Sequence, residues 1–490
     1  MTTDYPSPLL TDLYQLTMAA GYWHSGRAET EAVFHLTFRT LPFGGGYAVA
    51  AGLEDVIGWL RAFRFERDDL EYLATLKGNG GGRLFEPGFL EYLGGLRMSC
   101  DIDAIPEGTV VFPGEPLIRV RGPMVQAQLL ETALLNLVNF QTLIATKAAR
   151  ICEAAGGAPV LEFGLRRAQG PDGAVMASRA AFVGGCGATS NVLAGKRLGI
   201  PVRGTHAHSW VMSFDSEREA FLAYVRAMPE NATLLVDTYD TIGGVRHAIA
   251  AGEELRAAGH RLAGIRLDSG DLAVLSIEAR RMLDAAGFGD AVIVASNDLD
   301  EEIIMSLRQQ GAAIGVWGVG GGGTKLVTGG GQGALGGVYK LGAIRGIDGR
   351  WVPKVKLSEQ TAKVSTPGIQ NVRRFTAGGE FCGDAVYDEL HGFGEDVGVE
   401  LPGHPGRCWR VPEGAVGEDL LVPVFRGGEL VYEIPTIQEV QARGREQLAM
   451  LTPAVRRLMN PQTYPAGIEW TLAERKARLV GEAGRGKEVL

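Results

Sequence analysis

Residues 261–318 read RLAGIRLDSGDLAVLSIEARRMLDAAGFGDAVIVASNDLDEEIIMSLRQQGAAIGVWG, and this stretch indicates the architecture. Its apolar runs predict strands, and the amphipathic segments between them predict helices. Strands that alternate with helices of this length form βαβ units with a parallel sheet, and their continuous Val, Ile, Leu and Ala cores suit a sheet that is covered on both faces. The predicted strands are 261–268, 291–298 and 312–318, and the predicted helices are 271–286 and 299–310.

The same alternation extends toward the N-terminus, where APVLEF (158–163) and ATLLVD (232–237) predict two more strands. An α/β barrel or barrel-like sheet follows from helices at every crossover. Upstream we predict a helix over 9–23 with Thr11 as its N-cap, a strand over 32–39, and a long apolar helical segment over 124–155. After about residue 345 the pattern loosens, and we expect the C-terminal segment to pack on the N-terminal one. The predicted domains are 1–145, 146–345 and 346–490.

Composition excludes several classes of protein. The chain has 490 residues and a net charge of −9, which is not the electrostatic signature of a nucleic-acid or anionic-membrane binder. Glycine contributes 70 residues without a G-X-Y period, so it serves turns and close backbone approaches. Five cysteines without a C-x-x-C pair favour a reducing cytoplasm, and we expect no signal peptide and no membrane span.

Polar residues follow the end of each strand in the predicted sheet. In a barrel enzyme the active site lies at the carboxyl ends of the parallel strands, although any one such residue is more often a helix cap. Carboxylates there suit ribose hydroxyls and Mg²⁺, and arginines suit phosphate or carboxylate. These strand-end residues include Glu162, Phe163, Arg166, Arg167, His206, His208, Asp237, Asp240, Arg266, Asp268, Asp271, Ser296, Asn297 and Asp298.

The glycine run that begins at Gly318 offers backbone N–H groups to a phosphate. It satisfies G-x-G-x-x-G, but we reject a dinucleotide-binding fingerprint because TKLVT (324–328) predicts a strand where that motif needs a helix. A flexible hairpin is the alternative to a phosphate site. His206 and His208 would share one face of a strand, yet a functional imidazole oriented by Asp237 is favoured over a metal site, and His206 has no assigned role.

Eight segments together resemble nicotinate phosphoribosyltransferases, which are type II phosphoribosyltransferases, in order over roughly 9–375. They are TDLYQLTMAAGYW (11–23), EFGLRRAQGPDGA (162–174), GTHAHSWVMSF (204–214), VDTYDT (236–241), IRLDSGDL (265–272), ASNDLDE (295–301), WGVGGGGTKLVT (317–328) and ALGGVYKL (334–341). The resemblance implies an irregular α/β barrel beside a discontinuous α/β domain built from N- and C-terminal segments. It implies a homodimer that joins nicotinate to phosphoribosyl pyrophosphate, with Mg²⁺ and coupled ATP hydrolysis.

The resemblance also implies residue roles. Tyr14, from the partner subunit, and Phe163 would sandwich the pyridine ring, and Arg166 would lie near nicotinate and the sugar phosphate. His208 would be phosphorylated by ATP, with Asp237 hydrogen-bonded to its imidazole. The remaining substrate contacts would come from Arg266 and Asp268 for pyrophosphate and ribose, from Ser296, Asn297 and Asp298 for the ribose and phosphate pocket, and from Gly320 and Gly321 for the 5′-phosphate.

Ser190 bears on the choice between acid and amide substrates. The related nicotinamide enzyme has an Asp where this chain has Ser190, and an Asp would repel a carboxylate, so nicotinate is favoured; the alternative is that Ser190 is only a helix N-cap. A nicotinamide or quinolinate phosphoribosyltransferase and a non-enzymatic binding protein are the competing interpretations. A barrel enzyme acting on sugar phosphates would want a catalytic lysine at a strand end, and none of the strand ends has one.

Overall fold

The computed structural model describes residues 7–320, 325–360, 363–393, 398–401 and 408–485. Two compact units divide the chain: residues 1–143 with 334–490 form unit 1, and residues 144–333 form unit 2. No helix in the described part of the chain is long and apolar enough to cross a lipid bilayer.

The N-terminal part of unit 1 contains both helices and strands, and its last helix continues into unit 2. The helix from Leu13 begins after Asp12, one residue beyond the predicted cap Thr11, whose hydroxyl instead donates to Gln15. The elements are α1 (Leu13–His24), β1 (Glu31–Phe38), β2 (Ala48–Val49), α2 (Leu53–Arg61), α3 (Arg67–Thr75), α4 (Pro87–Gly95), β3 (Asp101–Ala104), β4 (Val110–Val111), β5 (Ile118–Pro123), α5 (Met124–Leu129) and α6 (Glu131–Ala155).

One long helix was expected over 124–155, and the structure has α5 and α6 there, separated at Leu130, whose backbone nevertheless stays helical.

Unit 2 contains the predicted strand–helix alternation. Its elements are β6 (Val160–Glu162), α7 (Gly170–Val183), β7 (Ala188–Thr189), α8 (Val192–Leu198), α9 (His208–Met212), α10 (Glu217–Ala227), β8 (Thr233–Leu235), α11 (Thr241–Ala257), β9 (Gly264–Leu267), α12 (Leu272–Ala285), β10 (Val292–Ala295), α13 (Glu301–Gln309) and β11 (Val316–Val319). The six strands form one parallel sheet in the order β7-β6-β11-β10-β9-β8. All their carboxyl ends therefore lie at one edge of the sheet.

Unit 1 is completed by the C-terminal segment, which is mainly β-structure. Its elements are β12 (Gly337–Arg345), β13 (Trp351–Pro353), β14 (Gln370–Ala377), β15 (Glu380–Asp388), β16 (Gly398–Glu400), β17 (Cys408–Arg410), β18 (Val416–Asp419), β19 (Val422–Arg426), β20 (Glu429–Leu430), α14 (Ile437–Ala449), α15 (Pro453–Arg456), β21 (Ala466–Glu469) and α16 (Trp470–Arg485). The domain boundary predicted at residue 345 lies at the end of β12. This strand pairs with β1 and so belongs to the same sheet as the N-terminal segment.

Unit 1 contains two large sheets, and the first of them joins its N- and C-terminal segments. An antiparallel sheet has the order β13-β12-β1-β5-β3-β19-β20, and a mixed sheet has the order β17-β16-β21-β15-β14-β18. The α/β class expected from the sequence is therefore confirmed, with one parallel sheet in unit 2 and antiparallel pairing in unit 1. Closure of the parallel sheet into a barrel stays a prediction.

A buried charge cluster lies where β14 and β15 pair in unit 1. Arg374 is directly opposite Asp384, and its Nε donates to both carboxylate oxygens at 3.0 and 3.1 Å. The Tyr464 hydroxyl donates to the same carboxylate at 2.9 Å. Burial, and then the Asp384 charge, raise the pKa of Glu115 well above its usual range, while Arg374 opposes this effect. The guanidinium is thus the counter-charge on which the cluster depends.

We expect Arg374→Leu to lower the free energy of unfolding by about 3–5 kcal/mol, because it leaves Asp384 buried without its cation. The neighbouring Arg373→Leu is a matched control, since its pair with Asp419 is partly exposed, and it should cost about 1 kcal/mol or less. Urea unfolding of the whole chain, followed by tryptophan fluorescence, measures both variants. Equal losses from the two substitutions would contradict this account.

Candidate active site

A cleft of about 490 Å³ lies in unit 2 where β6, β9, β10 and β11 end. Parallel strands bring residues that are far apart in sequence to this edge, which is where the sequence predicted a site. Most of the predicted residues line the cleft: Phe163, Arg166, Ser190, His208, Arg266, Asp268, Ser296, Asn297 and Gly320.

Glu162, at the end of β6, organises one side of the cleft. Its carboxylate is fully buried and accepts hydrogen bonds from the hydroxyls of Ser178 at 2.9 Å and Thr189 at 2.6 Å. The backbone N–H of Gly164 also donates to it. These donors satisfy the carboxylate that burial would otherwise penalise, and they hold the turn after β6 that presents the Phe163 ring.

Gly320 lies at the end of β11 against the backbone of Phe163. A Cβ atom at this position would come within 2.1 Å of the Phe163 carbonyl carbon, so only glycine permits the approach. The Phe163 N–H donates to the Val319 carbonyl at 2.8 Å and joins the two strand ends. Gly320 therefore has a packing role in addition to the predicted phosphate contact. Gly321 lies outside the described residues.

The segment GTHAHS is not a strand, contrary to the prediction. Residues 203–207 have no regular structure, and His208 is the first residue of α9. The two histidines consequently do not share a strand face: His208 reaches the cleft with its side chain 40% exposed, whereas His206 is buried. The segment is held by a side chain and not by strand pairing, because the His206 imidazole accepts the backbone N–H of Leu235, at the end of β8, at a distance of 3.1 Å.

His208 has different partners from the one expected. Its Nδ1 lies 3.1 Å from the Thr238 hydroxyl, and its Nε2 lies 3.8 Å from a carboxylate oxygen of Asp268. Asp237 was predicted to hold this imidazole, but it instead accepts the Asp268 N–H at 3.0 Å and the Ser269 hydroxyl at 2.6 Å. Thr238 is a site residue that sequence reasoning did not assign, and its position next to Asp237 in VDTYDT was the available signal.

Asp268 and Arg266 place opposite charges in the cleft. Asp268 accepts a hydrogen bond from the Ser296 hydroxyl, which fixes one of its oxygens. Arg266 donates from Nη2 to the His206 carbonyl at 2.9 Å, and its Nε is buried without a hydrogen-bond partner among the described residues. Burial lowers the pKa of Arg266, and the carboxylates of Asp268 and Asp237 oppose the shift. The guanidinium therefore retains capacity to bind an anion.

Ser190 is not a helix cap. Asn191 caps α8 by accepting the Ala194 N–H at 3.2 Å, while Ser190 lines the cleft and is held through its own N–H, which donates to the Glu162 carbonyl at 2.8 Å. Helix capping does account for two other strand-end acids: Asp240 caps α11 and Asp271 caps α12.

The remaining predicted residues are more scattered. Asn297 has a positive φ of 104° at the edge of the cleft, a conformation that Asn tolerates better than most residues do. Asp298 is exposed and does not line the cleft. Tyr14 belongs to unit 1, on α1, where it is 48% exposed, and partial burial followed by the charges of Glu131 and Asp12 raises its pKa.

The segment TKLVT does not form the predicted strand in the part that the structure describes. Its described part, 325–328, is a turn in which Leu326 and Val327 are buried, so their apolar character reflects packing in the turn. The Lys325 ammonium pairs with Asp300, which caps α13. This contact connects the turn 325–328 to the residue that precedes α13.

A second cleft, of about 350 Å³, lies in unit 1 and is lined by charges that pair with one another. Arg119 there is buried and donates to Asp103 at 2.9 Å and to the Gln370 carbonyl at 3.1 Å. None of the predicted site residues lines this cleft.

Comparisons with known proteins cover nearly the whole chain. Family models described as the nicotinate phosphoribosyltransferase N-terminal domain, family and C-terminal domain match residues 9–139, 159–359 and 394–476. The Bacillus subtilis nicotinate phosphoribosyltransferase is 45% identical in an alignment of 469 positions that covers 94% of this chain and 92% of that protein. The human nicotinate phosphoribosyltransferase is 37% identical in an alignment that is 543 positions long with its gaps and covers 98% of this chain and 97% of that protein.

A solved structure gives the same relationship. The crystal structure of human nicotinic acid phosphoribosyltransferase superposes with a TM-score of 0.82 and 34% identity, covering 96% of this chain and 99% of that chain. The family models, the curated relatives and the solved structure agree, and the chain belongs to the nicotinate phosphoribosyltransferase family.

Proposed function

We propose that the protein joins nicotinate to phosphoribosyl pyrophosphate, forming nicotinate mononucleotide and pyrophosphate. Family membership over nearly the full chain supports the reaction. The observation that carries the proposal is the meeting of Arg266, Asp268, His208 and Gly320 around one cleft at the carboxyl edge of the parallel sheet. These groups supply the guanidinium, carboxylate, imidazole and backbone that an activated sugar phosphate requires.

In the proposed transfer, the pyridine nitrogen of nicotinate attacks C1 of the ribose while the bond from C1 to the pyrophosphate oxygen breaks. Positive charge develops at C1 and negative charge on the leaving pyrophosphate. Arg266 would hold the pyrophosphate, and Asp268, fixed by Ser296, would hold ribose hydroxyls and face the positive charge. Phe163 would position the flat ring through its aromatic face and leave the nitrogen free.

Five further residues complete the substrate contacts in this proposal. Arg166, on the turn after Phe163, would meet the nicotinate carboxylate and the sugar phosphate. Asn297 and Asp298, at the end of β10, would contribute to the ribose and phosphate pocket, with Asp298 the more peripheral of the two. Gly320 and Gly321 would offer backbone N–H groups to the 5′-phosphate.

Mg²⁺ fits the oxygen donors present. The described residues contain no group of three His, Cys, Asp or Glu side chains that could hold a metal by themselves. Mg²⁺ in phosphate-transfer sites is typically bound by one or two carboxylates together with substrate phosphates and water. Asp268 lines the cleft, and Asp237 has a buried oxygen without a hydrogen-bond partner, so these two would hold the ion. When bound, Mg²⁺ would neutralise charge on the pyrophosphate.

His208 would couple ATP hydrolysis to the transfer. In this proposal a ring nitrogen attacks the γ-phosphorus of ATP, the bond to the β-phosphate oxygen breaks, ADP leaves, and water later releases phosphate from the phosphohistidine. Nε2 is the candidate nucleophile because Nδ1 is engaged by Thr238. A phosphoryl group adds roughly two negative charges close to Asp268 and would change the affinity of the cleft for its anionic substrates.

Two further features of the family belong to the proposal. The parallel sheet would close into an irregular α/β barrel, which its single strand direction and helical crossovers support. Two copies of the chain would form a dimer in which Tyr14 of the partner subunit covers the second face of the pyridine ring; the exposure of Tyr14 on α1 supports this arrangement.

Other reactions are less well supported. Nicotinamide and quinolinate are the nearest alternative substrates, and the neutral Ser190 favours the single carboxylate of nicotinate over an amide. A barrel enzyme acting on a sugar phosphate through a catalytic lysine is disfavoured because the described residues that line the cleft include no lysine.

The product formed from defined substrates tests the proposed function. With phosphoribosyl pyrophosphate and Mg²⁺, we expect nicotinate to give its mononucleotide, and nicotinamide and quinolinate to give at least about tenfold less, as expected when one polar group is mismatched. Liquid chromatography of the products measures this, with and without ATP. Preferential conversion of nicotinamide or quinolinate would reject nicotinate as the substrate.

His208→Ala should abolish the acceleration by ATP while the ATP-independent transfer continues, because the variant lacks the phosphoryl acceptor. His260→Ala is the matched control, since His260 pairs with Glu230 at the surface. Initial rates at increasing ATP, together with phosphate release, measure the coupling. If ATP accelerates His208→Ala as much as the parent, the phosphohistidine role is wrong.

Ser190→Asp should shift the preference from nicotinate toward nicotinamide, because a second negative charge in the cleft repels the carboxylate and accepts from an amide. We expect the ratio of kcat/KM values to change by about tenfold or more. Ser190→Asn serves as the control, because the Asn side chain has nearly the same size as Asp but carries no charge. Unchanged selectivity in Ser190→Asp would remove Ser190 as a determinant of substrate choice.

A further inference from the structure

His206 is a buried imidazole that the proposed reaction does not use. Its side chain lies in the irregular segment 203–207, and the residue is only 8% exposed. The ring packs edge-on to Tyr224 of α10 at 4.8 Å between centroids, and Phe221 lies 6.0 Å away. Its Nε2 accepts the backbone N–H of Leu235, the last residue of β8, at 3.1 Å. The side chain thus ties an irregular loop to the edge strand of the parallel sheet.

This hydrogen bond fixes the proton of the ring. A backbone N–H can only donate, so Nε2 must carry a lone pair and the proton of the neutral ring must lie on Nδ1. The nearest acceptor for that proton is the Ala207 carbonyl, 3.4 Å from Nδ1. Burial lowers the pKa of His206 to about 4, and the charges of Arg266 and His208 act in the same direction, so the ring stays neutral near pH 7.

The backbone of His206 holds the arginine of the cleft. Its carbonyl accepts a hydrogen bond from Arg266 Nη2 at 2.9 Å, whereas Arg266 Nε has no partner among the described residues. Only Ala207 separates this anchor from His208, which begins α9. The position of the His206 backbone therefore sets where both the guanidinium and the second imidazole lie.

We propose that His206 is a positioning residue for phosphoribosyl transfer, whose neutral Nδ1–H imidazole anchors the segment 203–207 to β8 and thereby places Arg266 for the pyrophosphate group. The inference rests on the proposed function and adds to it a residue that does not touch the substrate. It also accounts for the different surroundings of the two histidines in GTHAHS: His208 faces the cleft, and His206 anchors the loop to β8.

Two substitutions at His206 separate positioning from simple packing. His206→Leu keeps the apolar bulk and removes the acceptor, whereas His206→Gln places an amide oxygen where Nε2 accepts the Leu235 N–H. We expect the Leu variant to raise the KM for phosphoribosyl pyrophosphate about tenfold or more, with a smaller change in kcat and in the KM for nicotinate, because a displaced guanidinium weakens one substrate selectively. The Gln variant should recover most of this loss.

The outcomes that would overturn the proposal are specific. Unchanged kinetics in folded His206→Leu would exclude any positioning role. Equal losses in every kinetic constant for both variants, with a matching fall in Tm, would show that His206 only stabilises the fold. If the parent protein itself does not convert nicotinate and phosphoribosyl pyrophosphate, the proposed function fails, and that result is distinct from either variant outcome.

A spectroscopic readout does not depend on activity. In the intact protein with ¹⁵N-labelled histidine at pH 7.5, the His206 signals, assigned by their loss in His206→Gln, should show a protonated Nδ1 and an unprotonated Nε2. The opposite tautomer, with the proton on Nε2, would overturn the anchor because the Leu235 N–H would then have no acceptor.

Discussion

The buried carboxylate of Glu162 is the interaction on which the architecture of the cleft depends. An ionised carboxylate without water is expensive unless its oxygens are satisfied, and here the donors come from the turn after β6, from α7 and from β7. The same group therefore fixes the turn that presents Phe163 and the strand end that leads to Ser190. Ring contact and substrate selection, in the proposed function, both depend on the hydrogen bonds of this one buried carboxyl group.

Acidic residues at the sheet edge divide into two sets with different physical roles. Asp240, Asp271 and Asp300 each accept backbone N–H groups in the first turn of the following helix, so they satisfy groups that the helix cannot satisfy itself. Asp237 and Asp268 cap no helix: Asp268 lines the cleft, and Asp237 accepts the Asp268 N–H. Both sets follow apolar strands, and sequence position alone does not distinguish them.

The regular part of unit 2 could be predicted from the sequence because its signals are local. Apolar runs such as VIVA (292–295) followed by a capped amphipathic helix specify strand and helix without knowledge of their neighbours. Collecting the site residues at one edge then follows from the parallel direction of the strands. The residues around His208 were harder to predict, because their conformations depend on long-range contacts.

Particular contacts account for those errors. The His206 imidazole takes the Leu235 N–H, so the histidine segment is held by a side chain and not by a strand ladder. Val327, in the segment TKLVT that was expected to form a strand, is instead buried in the turn whose Lys325 pairs with Asp300. Asp237 was expected to bond to His208, but it accepts the N–H of Asp268, the residue that directly follows β9. Each of these contacts joins residues that are far apart in sequence, so no local sequence pattern predicts it.

The cleft also concentrates polar groups that the fold leaves unsatisfied. Arg266 Nε and Asp237 Oδ1 are both buried without a hydrogen-bond partner among the described residues, and each such group costs roughly 1–3 kcal/mol. A protein selected only for stability would pair these two opposite charges directly. Here the Arg266 guanidinium donates to the His206 carbonyl and the Asp237 carboxylate accepts the Asp268 N–H, so each group has a separate partner. In the proposed function, the unused bonding capacity of Arg266 and Asp237 would serve the pyrophosphate group and Mg²⁺, so the cost of leaving these groups unsatisfied would be the cost of a site organised before substrate binds.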